Sequence, residues 1–372
     1  MSKIGLYLHV PFCEKKCPYC DFYSIHASEE WLNLYTDCMI KRIQYNSFKL
    51  GRLADTLYFG GGTPSLLRGT RIARLIKQAK ISFGLQDAEI TAEVNPGIDL
   101  DDFLQGFRAE GGNRLSIGMQ SADDRELKLL GRRHTFAQVV QAVEAARRVG
   151  IDNLSLDLML GIPGQTVESA KRSAAVCAEL GVPHVSAYLL KIEPNTAFYQ
   201  RREQLQLPDE EEACTLYEAV CDELERHGLR QYEISNFAKP GFESRHNLKY
   251  WHCEEYLGLG PAAHSFLSGK RFYETRDLRA FLAGQPPIED VDAEIPAGSP
   301  EEYAMLALRL TEGLQDQKYS ARFGISLPTR WKRSAQNYTH AGLTECWPGG
   351  FRFTRKGFLV SNALLAKILY ES

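Results

Sequence analysis

The chain has 372 residues, 44% of them hydrophobic, enough to bury the core of one large domain with a smaller one beside it. Its 44 basic residues nearly balance 47 acidic ones, which excludes net charge as the means of recruiting nucleic acid or an anionic membrane. No stretch approaches the roughly 20 continuous apolar residues of a membrane-spanning helix, and the opening residues lack a signal peptide's apolar core and cleavage site; a cytoplasmic protein with no nucleic-acid partner is expected.

In chain order, Ile4–Val10, Asp55–Phe59, Ala88–Val94, Arg114–Gly118, Asn153–Leu160 and His184–Leu190 read as strands, short β-branched and apolar runs each closed by a Gly-, Pro- or Asn-bearing turn. Between them, Glu30–Tyr45, Thr70–Lys80, Phe136–Val149 and Val167–Leu180 carry apolar residues at helical spacing, with Thr166 placed to cap the last. Strands and helices alternating in this way make βαβ units on a parallel sheet, and six units give an α/β fold of the partial (β/α)6 TIM-like kind, not the closed eight. After an acidic helix, Asp209–His227, the alternation stops. A boundary near Asn236 therefore divides a barrel, 1–235, from a C-terminal α+β domain, 236–372, with a helix around Glu301–Leu310. The terminal unit through Phe351-Arg-Phe-Thr-Arg-Lys-Gly357 reads as winged-helix-like. No low-complexity tract and no repeat of solenoid period is present.

Nine cysteines are an odd count, and three of them, Cys13, Cys17 and Cys20, fall within eight residues, a distribution that points to a metal site and not to a disulfide framework. They sit in the turn after the first strand, where a barrel carries its working loops. Three thiolates can hold three irons of a [4Fe–4S] cubane and leave the fourth open to a chelating ligand such as the amino and carboxylate groups of S-adenosylmethionine (SAM). The competing reading is structural zinc, which prefers four protein ligands and would take His9 or His26 as the fourth. Gly60-Gly-Gly-Thr-Pro-Ser65 follows the second strand, and consecutive glycines let backbone N–H and C=O groups approach a polar ligand closely. Taken alone, that turn reads first as a tight strand-to-helix connection.

Together these motifs match the radical SAM signature. Leu6-Tyr-Leu-His-Val-Pro-Phe-Cys13, Cys17-Pro-Tyr-Cys20-Asp-Phe and Gly60-Gly-Gly-Thr-Pro64 strongly resemble the oxygen-independent coproporphyrinogen III oxidase family, and the resemblance runs over most of the chain. It implies a radical SAM barrel, a cluster on Cys13, Cys17 and Cys20, and SAM contacts at Tyr7, Tyr19, Gly61, Gly62, Thr63, Glu93, Gln120, Arg132 and Asp157. All but Arg132 lie on or just beyond an expected strand, where polar groups point into a barrel mouth. Asp157 stands in an apolar run and is costly to bury without a partner; a ligand hydroxyl or an ion pair with Arg114 or Arg132 would satisfy it.

The oxidases carry a further cysteine two residues past the third cluster ligand; here Phe22 stands instead. That departure, and the lack of a long extension before the first strand, resembles the family's haem chaperone branch, which is thought to bind haem and deliver it to haemoproteins. His246-Asn-Leu-Lys-Tyr-Trp251 matches that branch's motif, associated with haem binding. The resemblance implies haem as a further cofactor, with His246 the first candidate for the iron and Tyr250 and Trp251 against the macrocycle. Arg245 or Lys249 would pair with a propionate, and His264 and Cys253 are reserve ligands. Its implied partners are haem, haem-accepting proteins including membrane-associated respiratory enzymes, and an electron donor for the cluster. The alternatives are an oxidase that decarboxylates coproporphyrinogen III, and a zinc-stabilised binding module.

Overall fold

The computed structural model describes residues 2–291 and 294–371. Six parallel strands, β1 (Ile4–Val10), β2 (Ala54–Gly61), β3 (Glu89–Val94), β4 (Arg114–Gln120), β5 (Asn153–Leu160) and β6 (His184–Leu189), pair each with the next. The helices α1 (Glu29–Leu50), α2 (Arg68–Phe83), α3 (Asp101–Ala109), α4 (Phe136–Arg148) and α5 (Val167–Glu179) make the crossovers. Thr166 caps α5 as expected, its side chain accepting from the Ser169 N–H at 3.1 Å. The second half adds β7 (Arg230–Gln231) and β8 (Asn236–Ala238) beside β6. Beside β1 it adds β9 (Tyr256–Leu259), β10 (His264–Leu267), β11 (Lys270–Tyr273) and β12 (Ile288–Glu289). The sheet has two ends and is an open barrel.

Period-2 alternation settles what lies on each side of the strands. One set, Leu6 and Leu8, Leu57 and Phe59, Ile90 and Ala92, Leu115 and Ile117, Leu154 and Leu156, Val185 and Ala187, packs into the main hydrophobic core with the crossover helices. Removing so many large apolar side chains from water is the principal stabilising term of the fold. The opposite set is polar on nearly every strand: Tyr7 and His9, Thr56 and Tyr58, Glu89, Thr91 and Glu93, Arg114 and Ser116, Ser155 and Asp157, His184 and Ser186. The barrel therefore has a hydrogen-bonded lumen, which an apolar structural barrel would not.

One feature departs from the sequence reading. The expected division near Asn236 crosses the sheet, because β8 begins at that residue and β9 returns to pair in parallel with β1, Tyr7 opposite Gly258. A second core, from Cys253 to Leu369, gathers Tyr303, Tyr319, Trp331, Phe351 and Phe358. In it two helices, Asp316–Phe323 and Thr329–Gln336, precede a hairpin of Thr344–Trp347 and Gly350–Phe353. Among the described residues no helix is long and apolar enough to cross a membrane.

Candidate cluster and cofactor site

Cys13, Cys17 and Cys20 lie in the loop that leaves β1 at the C-terminal ends of the strands. The two-residue pairing of Phe12–Cys13 with Ile25–His26 closes this loop, and the Cys20 N–H donates to the Cys17 carbonyl at 3.1 Å. All three are free thiols and partly accessible. Burial raises the Cys20 pKa, with Cys17 and Cys13 adding to it, so the three sulfurs feel one another. A cubane asks each of the three thiolates to reach its own iron and needs no fourth protein ligand, where zinc prefers four. A zinc site is further disfavoured because His9 is spent: its Nδ1 meets the Tyr7 hydroxyl at 3.1 Å and its Nε2 the Tyr23 carbonyl at 2.9 Å. His26 is bonded to the Glu14 carbonyl at 3.3 Å.

The glycine turn lies directly against this loop. A Cβ on Gly62 would stand 2.4 Å from the Phe12 carbonyl oxygen, and one on Gly61, at φ +108°, 2.5 Å from the His9 ring, so only glycine permits the approach. Gly62 and Thr63 donate to the carbonyls of Val10 and Phe12 at 2.9 and 2.7 Å. The Thr63 hydroxyl stands 3.6 Å from the Cys13 sulfur and accepts from Asn95 at 2.9 Å. Arg132 is brought in from outside the strands by its donation to the Gly118 carbonyl at 3.0 Å and to Asn95 Oδ1 at 2.6 Å, with its other amino group 3.8 Å from the Cys17 sulfur. A cavity of about 120 Å³ opens among Cys17, Thr63, Asn95 and Arg132.

Below the turn, Glu93 accepts from the Tyr58 hydroxyl at 3.0 Å and from the Gly61 N–H at 3.1 Å, and Asp157 accepts from Ser116 at 2.9 Å. Burial first, then the neighbouring Asp157, pushes the Glu93 pKa up to about 7; burial pushes Asp157 up to about 6, against the hydrogen bonds of Ser116 and Ser186 and the charges of Arg114 and Arg132. Neither carboxylate forms an ion pair of 4 Å or less among the described residues, and the Nε atoms of Arg114 and Arg132 are buried without a hydrogen-bond partner. Two carboxylates beyond ion-pair distance of any cation among the described residues and two guanidiniums with spare donors suit a ligand that carries both signs of charge, as SAM does with its ammonium, sulfonium and carboxylate. Gln120, at φ +69°, turns its amide to accept from Tyr188 at 3.1 Å, and Tyr19 packs on Phe198 with ring centroids 6.1 Å apart. Tyr7 stacks on Tyr58 at 6.1 Å. The structure thus gathers the nine expected SAM residues around one end of the lumen and its rim.

The radical SAM superfamily profile matches residues 7–177, and the HemN C-terminal domain profile matches 299–360. The chain is 37% identical to the haem chaperone HemW of Escherichia coli over 100% of its own length and 99% of that protein's. It is 34% identical to HemW of Lactococcus lactis, over 98% and 97%. The chain belongs to the HemW family. The solved structure of the E. coli radical SAM enzyme coproporphyrinogen III oxidase (HemN) shares this fold, with a TM-score of 0.81, 23% identity and coverage of 100% of this chain and 91% of that one.

In this HemW-family chain the His246 motif forms α6 (Arg245–Trp251), which plugs the lumen from the other end. His246 is 1% exposed. Its Nδ1 meets Thr56 Oγ1 and its Nε2 the Tyr250 hydroxyl, both at 2.7 Å, its ring stacks on Tyr58 at 5.1 Å, and its backbone N–H donates to Glu89 at 2.9 Å. Burial, then Lys249 and Arg114, drives its pKa down to about 3. The expected iron ligand is in this arrangement a neutral lumen residue with both nitrogens engaged. The propionate partners are engaged as well: Arg245 donates to the Asp87 carbonyl at 2.9 Å, and Lys249 pairs with Asp55 and Glu254, each at 3.0 Å. Cys253 is buried with its thiol 3.5 Å from a Glu302 oxygen, while Tyr250 and Trp251 are half-buried. Sequence reasoning missed Tyr58 and Asn95; the Asn95-Pro96 step just past β3 was the available signal for the second.

Proposed function

We propose that this protein is a haem carrier of the HemW kind: it binds haem and hands it to haem-accepting proteins, with a [4Fe–4S] cluster on Cys13, Cys17 and Cys20 and SAM in the upper lumen. The observation that carries the reading is identity of 34–37% to haem chaperones over essentially the whole of this chain and of theirs. Phe22 in place of the oxidases' additional cysteine supports it over the porphyrinogen-decarboxylating alternative.

When bound, cluster and SAM together supply reductive cleavage of a sulfonium bond, and that chemistry belongs to them. The protein's own residues position and screen. Gly61, Gly62 and Thr63 offer backbone and hydroxyl groups to the ligand beside the cluster loop, and Arg132 sets a positive charge between it and Cys17. Glu93 and Asp157 receive the ligand's positive groups, and Tyr7, Tyr19 and Gln120 frame it. Because Glu93 holds its proton up to about pH 7, taking a cation there releases that proton at neutral pH.

The same reading puts the protein in the cytoplasm, loading haem-dependent respiratory enzymes and drawing electrons from a reduced protein donor. To test it, haem-loaded protein is mixed with an apo-haemoprotein: growth of the acceptor's own absorption spectrum, at a rate set by the cluster's and SAM's presence, is the expected result. Haem that stays put, or is never taken up, would refute the reading.

A further inference from the structure

A cavity of about 350 Å³ opens between the cluster loop and the strands that the second half adds beside β1. His9, Phe22, Tyr23, Tyr256, His264 and Arg276 are on its walls. Of the two histidines, His9 has both ring nitrogens bonded, to Tyr7 and to Tyr23. His264 is the opposite case. It is exposed, and no hydrogen bond engages either of its nitrogens among the described residues. Its ring lies 5.4 Å from that of Tyr273 at 31°, which supports one face and leaves the nitrogens open. Desolvation of the ring against the cavity wall and the positive charges of Arg271 and Arg276 lower its pKa, against Asp290, which favours the neutral imidazole, the form that ligates a metal.

The position of His264 is fixed by close backbone packing. A Cβ on Gly258 would stand 2.1 Å from the His264 carbonyl oxygen, and one on Gly260, at φ +102°, 2.4 Å from that of His9. The Gly258 N–H also donates to Ser265 Oγ at 2.9 Å. The turn between β9 and β10 is thus pressed onto β1, and His264 is held at the barrel mouth on a rigid hairpin. Two further features point to a flat, anionic ligand. Phe22 leaves 65% of its surface in water at the lip of this cavity, an unusual cost for so large an apolar side chain. Arg276, its side chain 60% exposed, donates to the Asp21 carbonyl at 3.0 Å with the Asp21 carboxylate 3.9 Å away, which leaves guanidinium donors for a carboxylate.

We propose that this cavity seats the iron porphyrin, with a ring nitrogen of His264 as axial ligand, Phe22 against the macrocycle and Arg276 on a propionate. The inference rests on the haem-carrier reading above and gives His246 a different part, that of a lumen residue which orders α6. Because Asp21 to Tyr23 follow Cys20 directly, the haem cavity and the cluster loop share a wall.

The test titrates haemin into cluster-reconstituted full-length protein, wild type, His264→Ala and His246→Ala, followed by absorption and electron paramagnetic resonance, with circular dichroism as a check on folding. Expected are a loss of the imidazole-ligated signature and at least about tenfold weaker binding in His264→Ala, partial recovery of the signature with added imidazole, and an imidazole-ligated signature that persists in folded His246→Ala whatever its affinity. An unchanged spectrum and affinity in folded His264→Ala would overturn the assignment while leaving the carrier reading intact. Wild-type protein that takes up no haemin would bring both down.

Discussion

Glu93→Gln separates two consequences of one carboxylate. In the SAM-free protein the folded-state pKa of Glu93 is raised from 4.5 to about 7, so the folded chain holds the proton more tightly than the unfolded one. Stability from this group is therefore fullest below pH 4.5, declines as pH rises and levels off above pH 7. A rise of that size corresponds to about 3 kcal/mol; since Glu93 faces the open end of the lumen, where water reaches it, we take about 2 kcal/mol. Gln has no charge to strand and keeps one oxygen to accept from Tyr58 or Gly61. Cluster-reconstituted, SAM-free Glu93→Gln should melt about 2–3 °C above wild type at pH 8, with the advantage shrinking as pH falls through the range between 7 and 4.5 and gone by about pH 4. SAM binding should move the other way. Losing one charge-assisted hydrogen bond costs about 1.5–3 kcal/mol, or roughly 10- to 100-fold in affinity by calorimetry. A variant that melts below wild type at pH 8, or that binds SAM as tightly, would refute this account of the lumen.

Single Cys→Ala changes at Cys13, Cys17 or Cys20 should each lower iron and sulfide content and bleach the cluster absorbance after anaerobic reconstitution, while Cys38→Ala and Cys346→Ala leave both unchanged. His246→Ala should destabilise the chain by about 2–4 kcal/mol in urea unfolding, because Thr56 and Tyr250 lose their buried partner. Gly62→Ala drives a Cβ onto the Phe12 carbonyl, a backbone contact that no rotamer relieves; SAM binding and cluster retention should fall together, read by calorimetry and iron analysis.

Much of the barrel is written locally. The apolar half of each strand, such as Leu154, Leu156 and Leu158, marks the element, and the spacing of the three cysteines announces a metal site, with the resemblance choosing the cluster over zinc. What lines the lumen is harder to see, because Arg114, Ser116 and Asp157 inside a strand look like interruptions until the period-2 register places them on one face. The return of Tyr256–Leu259 to β1 joins residues some 250 positions apart, and no local pattern encodes such a pairing. Nothing within the heptapeptide Arg245–Trp251 announces burial, yet the lumen supplies Thr56, Glu89 and Tyr58 as partners and makes burial of His246 favourable. His264 stood among the reserve ligands because its freedom from hydrogen bonds exists only in three dimensions.

The most direct test of the account offers anaerobically reconstituted protein, with SAM and a reductant, both haemin and coproporphyrinogen III, and follows haem retention, transfer to an apo-haemoprotein and carbon dioxide release together. The account predicts haem that is bound and passed on without decarboxylation. Decarboxylation without haem retention would make the protein an oxidase and contradict the central claim.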